Sequence, residues 1–174
     1  MDATTSYPSL ARARFAQYLL GTLALLAAMD AGIAALLLEP IRHDLGLTDV
    51  EAGLANATSY SAAYGLLSVP MGLLADRMRR VTLVFLAMLL WCAALVLTAS
   101  AAGFWTLALA KTLMGVAAAA LLPAALSLLG DYFAPEHRAT ATATFPLGQI
   151  LGAGASVLDG GLGFDGLGEP YSGG

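Results

Sequence analysis

Charged side chains are scarce in this chain of 174 residues: Asp, Glu, Lys and Arg together supply 11%, against roughly a quarter in ordinary soluble domains. Hydrophobic residues make up 59%, and the mean hydropathy is +0.76. A small domain leaves a large share of its surface in contact with solvent, so this balance excludes a water-soluble fold and makes the bilayer the natural solvent. Cysteine is reduced to Cys92, inside an apolar run. That excludes an internal disulfide and reads as a small buried hydrophobe. The two histidines, His43 and His137, lie in charged loops far apart in sequence. With no Cys/His cluster at ligand spacing, no metal is expected. Eight Lys and Arg face twelve Asp and Glu, with no basic block, so nucleic acid is not an expected partner. No glycine-rich nucleotide loop follows a strand and no Ser/His/Asp or Cys/His set can be assembled. The chain is therefore not read as an enzyme, with no catalytic residue and no cofactor. Asp44, Asp49 and Glu51 lack calcium-loop spacing.

What is present is long apolar runs. A hydrocarbon core of about 30 Å needs about 20 apolar residues as helix, and five stretches meet that length: 15–38, 50–75, 81–102, 104–129 and 139–158. The expected fold is an all-α membrane protein of about five transmembrane helices. Glu39-Pro40 and the charges through Glu51 end the first span, and Asp76 through Arg80 separate the second and third. Asp131 through Arg138, containing Pro135, separate the fourth and fifth. The first span follows Arg12 and Arg14 like a signal peptide, but its apolar run resumes after Asp30 and reaches Leu38, longer than such a segment.

Lys and Arg in short loops mark the cytoplasmic side. Arg12, Arg14, Arg77, Arg79, Arg80 and Arg138 fall on one side and Arg42 alone on the other. The N-terminus is therefore expected inside, with residues 1–14 as a cytoplasmic segment, in a bacterial inner membrane. The glycine-rich stretch 159–174 is too short and polar for a sixth span and is expected to be a disordered tail. An odd number of spans followed by such a tail has the organisation of a truncated chain.

Two ionisable residues fall inside spans. Asp30 is about fifteen residues into the first, Lys111 about seven into the fourth. At 1.5 Å rise per residue and with opposite helix directions, both lie about 10 Å from the outer boundary. An unpartnered charge at membrane depth costs at least ~2.5 kcal/mol, so matched depth and opposite sign suggest a pair. A functional role and a structural clamp both remain open, as does snorkelling of Lys111 to the interface. Small residues four apart, Gly115 with Ala119 and Gly148 with Gly152, would let helices pack closely in lipid. Pro70, Pro123 and Pro146 lie inside spans, where a kink is tolerated. Tyr60 and Tyr64, four apart, are read as packing against lipid or core in preference to facing a cavity.

The segment Gly72-Leu-Leu-Ala-Asp76-Arg77-Met-Arg79-Arg80 suits a helix end that a neighbour approaches closely at the glycine, followed by a cationic turn. It resembles the loop between the second and third helices of the major facilitator superfamily, departing from that pattern at Arg79, where glycine is usual. Pro40-Ile-Arg-His-Asp-Leu-Gly-Leu-Thr48-Asp49, followed by Gly53-Leu54, is similar to the first outer loop of its spinster-like branch. Gly115, Pro123 and the stretch Ser127 through Arg138 resemble the fourth helix and the loop after it. The match runs from about Phe15 to Leu158, the N-terminal part of such a protein.

The resemblance implies an incomplete N-terminal half of a transporter bundle, with the first and fourth helices lining a central cavity. There an acid and a base, here Asp30 and Lys111, would contribute to proton or substrate coupling. The branch tends to carry arginine at the position of Ala31 and often glutamate at that of Ala118, so one proton carrier is missing. The resemblance also implies a cytoplasmic charge network of Asp76, Arg77 and Arg80 with Asp131 and Arg138, beside Gly72, that holds the outward-facing state. The implied function is secondary active transport of a small, amphipathic or organic-acid solute by alternating access. A lone, incomplete half is expected not to transport. The alternative is a degenerate assembly protein that pairs with a second transporter half or with itself. The lipid bilayer is a partner under either reading.

Overall fold

The computed structural model describes residues 9–165, with side chains described through residue 158. Among these residues all regular structure is helical. α1 spans Leu10–Leu36, α2 Leu38–Asp44, α3 Asp49–Gly53, α4 Ser59–Arg77, α5 Arg80–Ala99, α6 Phe104–Tyr132 and α7 Pro135–Asp165. A π-helical turn, Leu54–Thr58, joins α3 to α4. The expected breaks have local causes. α2 ends where Gly46 takes φ 62°, a left-handed conformation that suits glycine. Thr48 caps α3, accepting from the Glu51 N–H while the Glu51 carboxylate accepts from the Thr48 N–H. Met78 and Arg79 adopt extended backbone between α4 and α5. Phe133 is extended after α6, and Pro135 opens α7, where its missing N–H is no loss.

Three boundaries differ from the sequence expectation. α1 starts at Leu10, so Arg12 and Arg14 stand on the helix and not in a preceding segment; residues 1–8 lie outside the described residues. α7 continues to Asp165, past the expected start of the tail at 159. Extending an established helix fixes few dihedrals per added hydrogen bond, which offsets the roughly 1 kcal/mol weakness of each glycine. The rest of the expected tail, 166–174, lies outside the described residues. Among the described residues four helices are long and apolar enough to cross a membrane: α1, α5, α6 and Pro135–Leu158 of α7. The second expected span, 50–75, is split among α3, the π turn and α4, and Ser59, Ser61, Ser68, Asp76 and Arg77 make α4 more polar.

α6 forms the spine. It packs along α4 and α5, while α1 packs along α7 and only lightly against α6. α6 buries Leu107, Ala110, Met114, Ala117, Ala120, Ala124 and Leu129 among others, many of them alanines. One core cluster joins the end of α4 and start of α5 to the second half of α6, with Leu20, Ala24 and Phe145. The other groups Trp91, Ala94, Met114 and Ala117. Cys92, expected to be buried, is exposed on α5. The buried face of α5 is Leu83, Ala87, Trp91 and Ala94, and Cys92 is one residue, or 100°, off that face.

Glycines set the closest contacts. A methyl group at Gly148 would overlap the Gly21 carbonyl, and one at Gly152 the Leu25 carbonyl. The two contacts, four residues apart on each helix, make α1 and α7 parallel neighbours. Gln17 Nε2 donates to Thr144 Oγ1 at 2.6 Å across the same seam. Gly115 sits against the Tyr60 carbonyl of α4. Gly72 differs from its expectation: nothing among the described residues lies within 4 Å of where its Cβ would be. α4 meets α6 at Ala63, half a turn round from Gly72, where a methyl group at Gly115 would overlap the Ala63 Cβ.

Candidate functional site

Two cavities lie where the α1–α7 pair faces α4, α5 and α6. The smaller, about 200 Å³, is lined by Asp30, Ala34, Asn56, Ser61, Lys111 and Met114. The larger, about 580 Å³, has a wall of small α1 residues, including Ala24, Ala27, Ala28 and Gly32. Tyr64, Phe145 and Gln149 face that wall. Ala31, Tyr60 and Trp91 line both cavities, so a charged compartment adjoins a neutral, aromatic one.

Helix geometry explains the composition. Ala24, Ala27, Ala28 and Ala31 fall at 3–4-residue spacing and present one face. Without bulk on that face the cavity stays open. Tyr60 and Tyr64, also one turn apart, have nearly parallel rings with centroids 6.3 Å apart. Both line the larger cavity, and Tyr60 also packs against the core cluster of Trp91, Ala94, Met114 and Ala117, as core packing would have it.

Lys111 is 6% exposed, while Asp30 is half-buried. They share the small cavity, but among the described residues no direct ion pair joins them, and Lys111 Nζ donates to Met114 Sδ at 3.8 Å. The expected pairing is thus a juxtaposition across a cavity, because α1 leans on α7 and stands off from α6. Ala31 and Ala118 both line the larger cavity. An arginine or glutamate in their places would put charge into a compartment that here has none.

The loop charges come together only in part. Arg80, first in α5, forms an ion pair with Asp131 in the last turn of α6. Antiparallel packing of the two helices brings these ends together. Arg138 Nε donates to the Phe133 carbonyl at 3.0 Å and so caps α6. Asp76 and Arg77 stay exposed at the end of α4, outside any ion pair among the described residues. At the opposite end Arg42 pairs with Glu39 of its own helix and reaches Asp49 of α3 at 3.1 Å. The Arg42 guanidinium, donating to Glu39, holds that carboxyl below its usual range, and the same bond raises Arg42.

Sequence reading missed Trp91, Phe145, Gln149 and Asn56 as lining residues. Gln149 and Asn56 carried a signal, since an amide inside an apolar helix seeks a polar surface. Trp91 and Phe145 carried none, because an aromatic in an apolar run fits a core, a lipid face or a cavity equally.

The sequence profile of the Major Facilitator Superfamily matches residues 20–170. The chain belongs to that superfamily. It is 29% identical over 145 residues to an MFS-type efflux pump of Mycolicibacterium smegmatis, covering 82% of this chain and 34% of the pump. It is 36% identical over 141 residues to the puromycin resistance protein pur8 of Streptomyces alboniger, covering 79% of this chain and 27% of that protein. Among solved structures, a bacterial homolog of the human lysosomal transporter Spinster in its inward-facing, unoccupied conformation superposes with a TM-score of 0.82. That superposition has 26% identity and covers 89% of this chain and 32% of the other. The occupied conformation gives 0.79 at 27% identity, covering 86% and 32%. The chain thus spans about a third of the length of the proteins it matches. The likeness to the spinster-like branch, expected from the outer-loop residues, is that of these structures. The superfamily and the apolar helices make this an integral membrane protein of a transporter family.

Proposed function

We propose that this chain forms one wall of the solute pathway of a secondary active transporter that works by alternating access. The observation that carries the reading is the pair of adjoining cavities. Asp30 and Lys111, on helices long and apolar enough to cross a membrane, share the smaller one, and Tyr60, Tyr64, Trp91 and Gln149 border the neutral larger one. Ionisable groups inside a membrane bundle are retained for proton, ion or substrate handling. In transporters built of repeats the substrate site lies near the bilayer midplane between repeats. The larger cavity suits a small amphipathic solute, and the smaller one is the coupling site, with Asp30 as the titrating group. The charges of Arg12, Arg14, Arg77, Arg79, Arg80 and Arg138 support an N-terminus inside a bacterial inner membrane. Gly72, Asp76, Arg77, Arg80, Asp131 and Arg138 form the cytoplasmic network, with Asp76 and Arg77 answering to groups on the opposite wall.

That opposite wall is further helices, from a second transporter half or from a second copy of this chain. The outward face of α4 supports this. Leu66, Val69 and Leu73 are 78%, 70% and 59% exposed, and Gly65 and Gly72 have nothing within 4 Å of a Cβ position. Small residues on such a face admit close helix approach in lipid. The chain by itself does not transport. The test is a chimera in which this chain replaces the matching third of the M. smegmatis efflux pump. The chimera restores efflux and Asp30→Asn abolishes it, whereas this chain reconstituted alone moves no solute. Uptake by the lone chain that Asp30→Asn abolishes would overturn the need for a second wall. A chimera indifferent to Asp30→Asn would overturn the coupling role. The assembly reading, a membrane protein that pairs without transporting, is favoured over the transport reading if the chain is a stable dimer in detergent and no chimera is active.

A further inference from the structure

At the end of the molecule away from Asp30, α1 and α7 begin side by side, and a groove of about 340 Å³ lies between their first turns. Its polar lining is Arg14 and Gln17 from α1 with His137 and Thr140 from α7, and Leu10 and Phe133 form its apolar part. Among the described residues no acidic side chain lines it. Because the glycine contacts make α1 and α7 parallel neighbours, both helices begin at this end of the molecule. Arg138 is turned away, donating to the Phe133 carbonyl, and Glu136 does not line the groove. The Arg14 guanidinium, the His137 imidazole and the Thr140 hydroxyl form a donor set for a phosphate oxyanion, beside the Gln17 amide that donates to Thr144.

The surroundings decide which phosphate. On α1, Leu10 and Tyr18 are 69% and 68% exposed, so the groove opens beside an apolar surface at the end of the helices. A soluble phosphate compound gains nothing from such a rim, whereas a phospholipid places its headgroup in the groove and its acyl chains along these side chains. Basic pockets between membrane helices hold anionic headgroups in this way.

We propose that the groove between the starts of α1 and α7 binds the phosphate headgroup of an anionic phospholipid and fixes the α1–α7 pair at the membrane surface. This site is separate from both cavities and does not depend on the transport reading. The experiment is native mass spectrometry of the full chain titrated with phosphatidylglycerol or phosphatidylcholine. Phosphatidylglycerol binds about tenfold more tightly at one saturable site. Arg14→Gln weakens it on the order of fivefold, near 1 kcal/mol for one interfacial cation, and adding His137→Gln removes the remaining preference. Arg14→Lys keeps the affinity within about twofold, which separates loss of charge from loss of fold. Arg79→Gln, a cation at the same membrane end but outside the groove, leaves binding unchanged. Equal affinity for the two lipids, or an Arg79→Gln loss as large as that of Arg14→Gln, overturns the proposal in favour of diffuse attraction. Displacement of the lipid by millimolar inorganic phosphate overturns it in favour of a soluble ligand.

Discussion

The seam between α1 and α7 and the outward face of α4 carry the same kind of residue in opposite circumstances. At the seam, Gly148 and Gly152 lie on the backbone carbonyls of Gly21 and Leu25. On α4, Gly65 and Gly72 meet nothing within 4 Å. Lipid is as apolar as leucine, so helices gain little in the bilayer by hiding hydrophobic side chains from it. Close packing and interhelical hydrogen bonds must hold them instead. The seam uses both, with Gln17 bonded to Thr144 at 2.6 Å. The α4 face carries its two glycines seven residues apart, about two helical turns, and has no helix of the described residues beside them. Small residues in a membrane helix thus mark where a neighbour can come, and only the packing shows whether one has.

The largest expected effect breaks the seam. Gly152→Leu forces a side chain into the Leu25 backbone, which cannot yield without separating α1 from α7. Unfolding in mixed micelles should show a loss of about 3 kcal/mol, at the upper end of ordinary overpacking. A loss below about 0.5 kcal/mol would mean that the two helices are not held in this register.

The next effect concerns Asp30 and Lys111. A directly paired, desolvated couple loses about 3–5 kcal/mol when one partner is removed. Since these two share a cavity without an ion pair, a double-mutant cycle of Asp30→Asn and Lys111→Met should return a coupling under about 1 kcal/mol. A coupling of several kcal/mol would replace the juxtaposition with a clamp and remove the basis for a titrating Asp30.

How far these features could be read in advance follows from the solvent. The long helices were legible because about 20 apolar residues in a row have few other uses. Asp30 and Lys111 were legible because charge in such a run is costly. Burial was not, because lipid and protein interior ask for the same residue types. Cys92 suits either, and so do Trp91 and the Tyr60–Tyr64 pair, which proved to line cavities. The π turn at Leu54–Thr58 left no mark in composition. The charge cluster was legible as a cluster, but not which members pair. That depends on α5 running antiparallel to α6, which joins Arg80 to Asp131 and leaves Asp76 apart.

A smaller effect of opposite sign tests the α4 face. Gly72→Ala adds a methyl group where nothing stands, and alanine favours helix over glycine by up to about 1 kcal/mol. The isolated chain should gain a few tenths of a kcal/mol or stay unchanged, while Gly148→Ala loses stability. If the second wall docks here as proposed, Gly72→Ala weakens the assembled chimera even as it leaves the single chain intact. A loss in the single chain would show that α4 already has a close neighbour at this point.

The smallest effect lies in the outer loop, where water screens the charges and no close backbone contact is at stake. Glu39 accepts from Arg42, which lowers the carboxyl below its ordinary value of 4.5. A carboxyl with a depressed folded-state value contributes stability that is present above the ordinary value and lost as pH falls through the depressed one. The connection between α1 and α3 should therefore hold at neutral pH and loosen only as pH falls below the ordinary Glu value of 4.5, weakly and less at high salt. Carbon-detected NMR titration of Glu39 should place its midpoint below 4.5, and Arg42→Gln should move it back up. A midpoint at or above 4.5 would mean that the Arg42 guanidinium spends its time on Asp49 instead, shifting the anchor of this loop from within α2 to the start of α3.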